Sequence, residues 1–208
     1  MAALVLPATK AQNKKFDQPV QLKSCHISIE ANAFTATTFM ELEFYNPGNE
    51  VVEGRQNFYL NKGQVISAFQ LDLNGKYRDG SIEEKWKALR SYSSIVGKRM
   101  DPAVIQMNYN NYYSLFIYPI PAKSSRKVTI TIDQLLVTDS NKLIYEFPLS
   151  FSSPTENFSA DVNINVNGSP RVAGSKGFLE KALFEKNENG GSASLILPIQ
   201  PAVLIPWQ

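Results

Sequence analysis

Histidine and cysteine each occur once in this 208-residue chain, and they are neighbours, Cys25 and His26. Those two counts bound the chemistry. A zinc site built from several histidines is excluded, and no Cys-x-x-Cys metal or redox motif can form. Any Ser/His/Asp triad must use His26. The stretch CHISIE reads as a β-strand, in which adjacent side chains point to opposite faces. Cys25 and His26 therefore do not pair as nucleophile and base without distorting the backbone, and a half-buried cysteine beside a surface or rim histidine is the expected arrangement.

Other chemistries are equally poorly served. Neither GxxxxGK[ST] nor GxGxxG is present to cradle phosphate, and GSKG at 174–177 lacks a strand-loop-helix setting and reads as a turn. Acidic pairs that could flank a glycosidic bond, Glu83 with Glu84 or Asp139 with Glu146, read as solvated charges. Neither DGSIE nor DSNK supplies the closely spaced oxygen ligands of a calcium loop. No catalytic, cofactor or metal site is expected. An enzyme would need a constellation such as Asp101 with Glu146 brought together by folding.

The residues best suited to binding lie in YNNYYSLFIYPIP. Tyr109, Tyr112, Tyr113, Phe116 and Tyr118 alternate there with Asn108, Asn110 and Asn111. Such an array can stack on sugars or present an aromatic edge to a protein. Tyr109, Asn111, Tyr112 and Tyr113 are the candidate interaction surface. The competing account is a loop entering a strand, with its aromatics divided between core and rim, which is an ordinary use of tyrosine.

The elements that must hold these residues are mostly strands. In TTFMELEFYN, Phe39, Glu41 and Glu43 fall on one parity and Met40, Leu42 and Phe44 on the other, predicting one wet and one apolar face. NPGNE at 46–50 is a turn in which Pro47 fixes φ and Gly48 can take a positive one. Strands around Gln56–Leu60 and Val65–Leu73, separated by NKG and closed by NGK, suggest an antiparallel meander. SIEEKWKALRSYSSIVG is the exception: Ser81 and Glu84 have capping-box spacing, and Ile82, Trp86, Leu89 and Val96 recur near a helical period. It predicts one amphipathic helix packed on a sheet. YYSLFIYPI, RKVTITIDQLLV, KLIYEFPLSF, SADVNINVNG and SLILPI read as further strands, with a short helix or a twisted strand pair at KGFLEKALFEK and a flexible turn at ENGGSAS.

Composition sets the scale. With 43% hydrophobic residues the chain can bury about 70% of its unfolded surface. Its 21 basic and 19 acidic residues give a net charge of +2 with no block of one sign, so nucleic acid is not expected as a partner. No run of about 18 apolar residues could span a bilayer as a helix. The opening segment lacks the basic region of a signal peptide. The apolar stretches at both ends suggest a piece of a larger protein. The sequons at Asn157 and Asn167 read as chance.

Taken in order, TATTFMELEFYNPGNEVVEG, NFYLNKGQVISAFQLDLNGK, EEKWKALRSY, MDPAVIQ, FIYPIPA and RKVTITI resemble the vault protein inter-alpha-trypsin (VIT) domain. The correspondence falls on Thr37, Thr38, Phe44 and Asn46 of the first strand, on Ala88 and Tyr92 of the helical segment, and on the joint Asp101, Pro102 and Ala103. It continues at the turn Pro119-Ile120-Pro121 and at Val128. YLNKG lacks the prolines of the family's usual turn, and Val104 and Ile105 stand where leucines are common. The metal-binding DxSxS motif of the von Willebrand A domain that usually follows is absent, so no metal site is carried over.

The resemblance implies a mainly β, antiparallel sandwich-like domain over residues 20–151 with one packed amphipathic α-helix. Residues 1–19 would be a linker or leading strand, and 152–208 a β extension packed on the same domain. Asp101, Pro102, Ala103, Pro119 and Pro121 would be structural joints. The function implied is a non-catalytic scaffold or protein–protein interaction module of a larger, envelope-associated bacterial protein, on the outer side of the cytoplasmic membrane. It would touch the membrane only through parts outside this chain. The alternative is a carbohydrate-binding module using the aromatic loop.

Overall fold

The structure, a computed structural model, describes residues 20–32, 34–84, 103–136, 138–139, 142–143, 145, 155–165, 183–187 and 190–200. Among these residues the chain forms strands and no helix. β1 (Gln21–Asn32), β2 (Thr35–Asn46) and β9 (Ser124–Leu135) are the longest, and each alternates. In β2, Met40, Leu42 and Phe44 are buried while Phe39 is exposed; in β9, Val128, Ile130 and Ile132 are buried. β-Branched side chains on a half-buried pleat account for that regularity.

These strands form the centre of an eight-stranded sheet. The others are β4 (Gln64–Asp72), β5 (Tyr77–Asp79), β12 (Thr155–Asn165), β13 (Leu183–Asn187) and β14 (Gly190–Gln200), in the order β13-β14-β12-β1-β2-β9-β4-β5. A second sheet has the order β3-β8-β7-β6, built from β3 (Val52–Tyr59), β6 (Ser81–Glu84), β7 (Ala103–Met107) and β8 (Tyr112–Ile120). β10 (Thr138–Asp139) and β11 (Lys142–Leu143) make a small hairpin. One buried cluster draws on both large sheets: Cys25, Ile27, Leu42, Phe44, Phe69 and Ile130 from the first, Phe58, Ile105, Tyr113, Leu115, Ile117 and Ile120 from the second. The architecture is mainly β and sandwich-like.

Several turns follow from local chemistry. Asn74 and Gly75, at φ 59° and 85°, join β4 to β5, and Leu73 and Lys76 exchange backbone hydrogen bonds across them. This is the type I′ hairpin that Asn-Gly favours. Asn46 is fully buried and works as a latch: its Nδ2 donates to the carbonyls of Glu50, Ile120 and Pro121 at 2.7, 3.0 and 3.1 Å. Its Oδ1 accepts the Gly48 N–H at 2.9 Å, so the asparagine side chain shapes the turn, and Gly48 has no positive φ.

Four expectations need correction. β3 and β4 are not paired in a meander; they enter different sheets, because β3 pairs with β8 and β4 with β9. The sheets are mixed rather than purely antiparallel, since β1 runs parallel to β12 and β6 parallel to β7. Ser81–Glu84 does not open a helix: it pairs from Ser81 with Val104 to Glu84 with Met107. The Gly80 N–H donates to the Phe69 carbonyl at 2.8 Å, and a Cβ on Gly80 would run into the Phe69 ring, which ties this segment to β4. Pairing beside a buried strand outweighs the local capping signal. Residues 85–97 of the expected helix lie outside the described residues, as do Asp101 and Pro102. Near the C-terminus Gly190–Ala193 of the expected turn already pairs in β14 with β12 and β13, while Leu183–Asn187 takes the strand reading of the two left open for KGFLEKALFEK.

Candidate functional site

β7 and β8 form a hairpin whose tip carries the aromatic loop. Asn110 and Asn111 adopt φ values of 58° and 54°, and the Tyr112 N–H closes the turn on the Tyr109 carbonyl at 3.3 Å. Asparagine tolerates the left-handed region better than most residues, so the Asn-Asn pair explains the turn. The Asn111 carbonyl accepts the Leu60 N–H at 3.0 Å, fixing the tip to the end of β3. Asn111 thus positions the loop.

The three tyrosines part ways from there. Tyr113 is buried, its ring stacked on Phe58 at 5.6 Å between centroids and 12° between planes. Burial raises its hydroxyl pKa. Tyr112 points the other way and meets Tyr59 of β3, with centroids 4.6 Å apart and planes tilted by 51°. Burial, then Tyr59, pushes the Tyr112 pKa up, so it remains a protonated hydroxyl at neutral pH. Tyr59 is 49% exposed, and Tyr109, at the turn, is 88% exposed. The outward face of the β3–β8 pair continues with Asn57 opposite Ser114 and Arg55 opposite Phe116, the guanidinium lying 4.5 Å from the ring centroid. Asn57 Oδ1 is buried without a hydrogen-bond partner. Ser114 Oγ accepts from Asn108 Nδ2 at 3.2 Å, and Asn108 Oδ1 accepts from Gln106 Nε2 at 2.6 Å.

The surface is therefore Tyr109, Tyr112 and Tyr59, with Arg55 and Asn57 alongside. Tyr59, Asn57 and Arg55 were not among the residues the sequence singled out. Their shared parity on β3 is visible in the sequence, but only the β3–β8 register places them beside the loop. Of the structural joints, Ala103 begins β7 and is buried, the Pro119 carbonyl accepts from Arg126 Nε at 3.2 Å, and the Pro121 carbonyl accepts from Asn46.

Cys25 and His26 lie on opposite faces of β1. Burial pushes the Cys25 thiol pKa far up, which makes it a poor nucleophile, whereas His26 faces outward against Ser159 and Asp161 of β12. On the same outer face Lys23 meets Glu43 at 2.9 Å and Lys127 meets Glu41 at 3.0 Å. Among the described residues no group of three or more His, Cys, Asp or Glu side chains is placed to hold a metal ion.

The family model of the vault protein inter-alpha-trypsin domain matches residues 22–132. A von Willebrand factor A domain-containing protein of Dictyostelium discoideum is 26% identical over 200 residues, covering 88% of this chain and 22% of that protein. A second such protein from the same organism is 24% identical over 157 residues, covering 73% and 18%. The chain thus spans about a fifth of the length of these relatives. Among solved structures, a candidate nutrient binding protein of Legionella pneumophila aligns with a TM-score of 0.48 at 11% identity, covering 87% of this chain and 64% of that one.

Proposed function

We propose that this chain, which belongs to the vault protein inter-alpha-trypsin domain family, is a non-catalytic protein–protein interaction module of a larger protein. The relatives' names place von Willebrand factor A domains in proteins several times longer than the matched region, which suits a module acting beside other domains. The observation that carries the reading is the outward row at the hairpin tip. Tyr109 stands almost free and the Tyr59–Tyr112 pair is half-open. Amphipathic aromatics on a rigid hairpin lose little entropy on docking. A glycan is the weaker reading, because rings tilted by 51° do not offer one flat platform.

The test is affinity capture with wild type and with Tyr59→Ala/Tyr109→Ala, both checked for folding by circular dichroism. A partner retained by wild type and lost by the folded double variant supports the reading. The same partner captured by both moves the contact off the hairpin tip. The named relatives come from Dictyostelium discoideum, and their names do not speak to location. The bacterial envelope setting implied by the resemblance therefore enters this proposal only as a fractionation experiment, and a parent protein recovered in the soluble fraction removes it.

A further inference from the structure

Three side chains on the outer face of the large sheet come together without any part in the interaction surface. His26 on β1 lies directly opposite Ser159 on β12, and Asp161 stands two residues further along the same strand, opposite Ser28. The imidazole lies between them, its Nδ1 hydrogen-bonded to Ser159 Oγ at 2.7 Å and its Nε2 3.9 Å from Asp161 Oδ2, too far for a hydrogen bond. The carboxylate favours the tautomer carrying its proton on Nε2, which leaves Nδ1 to accept the serine hydroxyl. Ser159 thus has a hydrogen-bonded base with a carboxylate nearby; at 3.9 Å Asp161 acts on the ring through its charge and does not make the base–carboxylate hydrogen bond of a hydrolytic triad. The His26 and Asp161 side chains are 43% and 46% exposed, so a small molecule can reach the cluster.

We propose that Ser159 is an acyl-accepting nucleophile, activated by His26 and positioned through Asp161, that takes the acyl group of a small activated ester. The hydroxyl proton passes to His26 Nδ1 as Ser159 Oγ bonds to the carbonyl carbon. The bond from that carbon to the leaving oxygen then breaks, and the leaving group departs as an anion that the imidazolium can protonate. The chemistry stops at the acyl-serine. Residues 157–165 of β12 pair with β1 on one side and β14 on the other, so mid-strand amides are committed to ladders and do not form an oxyanion hole. The donor must therefore bring a good leaving group, and the base contributes roughly 100-fold or more.

The experiment incubates the full chain with 4-nitrophenyl acetate at neutral pH, follows release of 4-nitrophenolate and locates the acetyl group by peptide mass spectrometry. One equivalent on Ser159 is expected, formed about 100-fold more slowly in His26→Gln. Asp161→Asn should slow it and Asp161→Glu should restore it, which a merely structural role for Asp161 does not predict. Acetylation confined to lysines or the N-terminus overturns the proposal, as does Ser159 labelling at the same rate in His26→Gln. Should a variant fail to fold, the wild-type chain still decides: labelling at Ser159 no faster than at Ser28, its neighbour on the same face, overturns it.

Discussion

The two large sheets share a core but differ on their other sides. In the eight-stranded sheet the outward face is largely wet: β2 presents Phe39, Glu41 and Glu43, opposite Thr131, a buried Thr129 and Lys127 of β9. In the four-stranded sheet β7 and β8 are buried on both faces, with Ile105 and Leu115 inward and Val104 and Phe116 outward, all nearly inaccessible. A strand with one wet face writes its register into the sequence as alternation. A strand buried twice shows only a continuous apolar run, which fixes its depth and leaves its pairing unstated.

That contrast is testable. The largest effect should come from the twice-buried strands: Leu115→Ala or Ile105→Ala should lose about 2–5 kcal/mol in urea unfolding, while Phe39→Ala on the wet face should lose under about 1 kcal/mol. Equal losses would break the comparison. Next comes the latch between the sheets' ends. Asn46→Ala strands the carbonyls of Glu50, Ile120 and Pro121 and should cost about 1–3 kcal/mol, again by urea midpoint. Arg55→Ala, which removes the cation from the Phe116 ring on the outward side of the small sheet, should cost about 0.5–1 kcal/mol.

The smallest effect belongs to the wet face and has a pH signature. Burial pushes the Glu43 pKa up, but hydrogen bonds from Lys23 and Ser125 and the charges of Lys23 and Lys127 outweigh it, so its folded value lies below the ordinary one. A carboxylate lowered in the folded state stabilises above its unfolded pKa and loses that contribution as the pH falls through the folded value. Glu43→Gln should therefore lose roughly 0.2–1 kcal/mol at pH 7 and nothing at pH 2, measured as the difference in unfolding midpoint from wild type at each pH. A loss that persists undiminished in acid would show that shape, and not charge, holds the wet face.

Where one face was wet, the sequence could be read closely: the parity of Met40, Leu42 and Phe44, the Asn74-Gly75 turn and the Val128–Ile132 alternation all appear in the structure. What could not be read was long-range pairing. Nothing local in VEGRQNFY says that it pairs with residues 112–120 and not with the strand that follows it, and that register alone brings Tyr59 to Tyr112. Ser81–Glu84 misled for a related reason, since a capping signal is local and the β7 pairing that overrides it is not. The aromatic loop was identified as a candidate from its composition, but its division into a core Tyr113, a paired Tyr112 and an open Tyr109 depends on which side of β8 each residue takes.

The parallel partnership of β1 and β12 also bears on how the chain assembles over time. His26 and Ser159 are 133 positions apart, so β1 gains its second neighbour only after most of the chain has been synthesised. Until then one edge of β1 offers unpaired amides and carbonyls to any strand that passes, including the same segment of another copy. Closing so long a loop costs entropy before pairing returns it, which places this joining late and makes it slow relative to the β1–β2 hairpin. Nascent chains that stop before residue 155 should be the ones most prone to stick to each other.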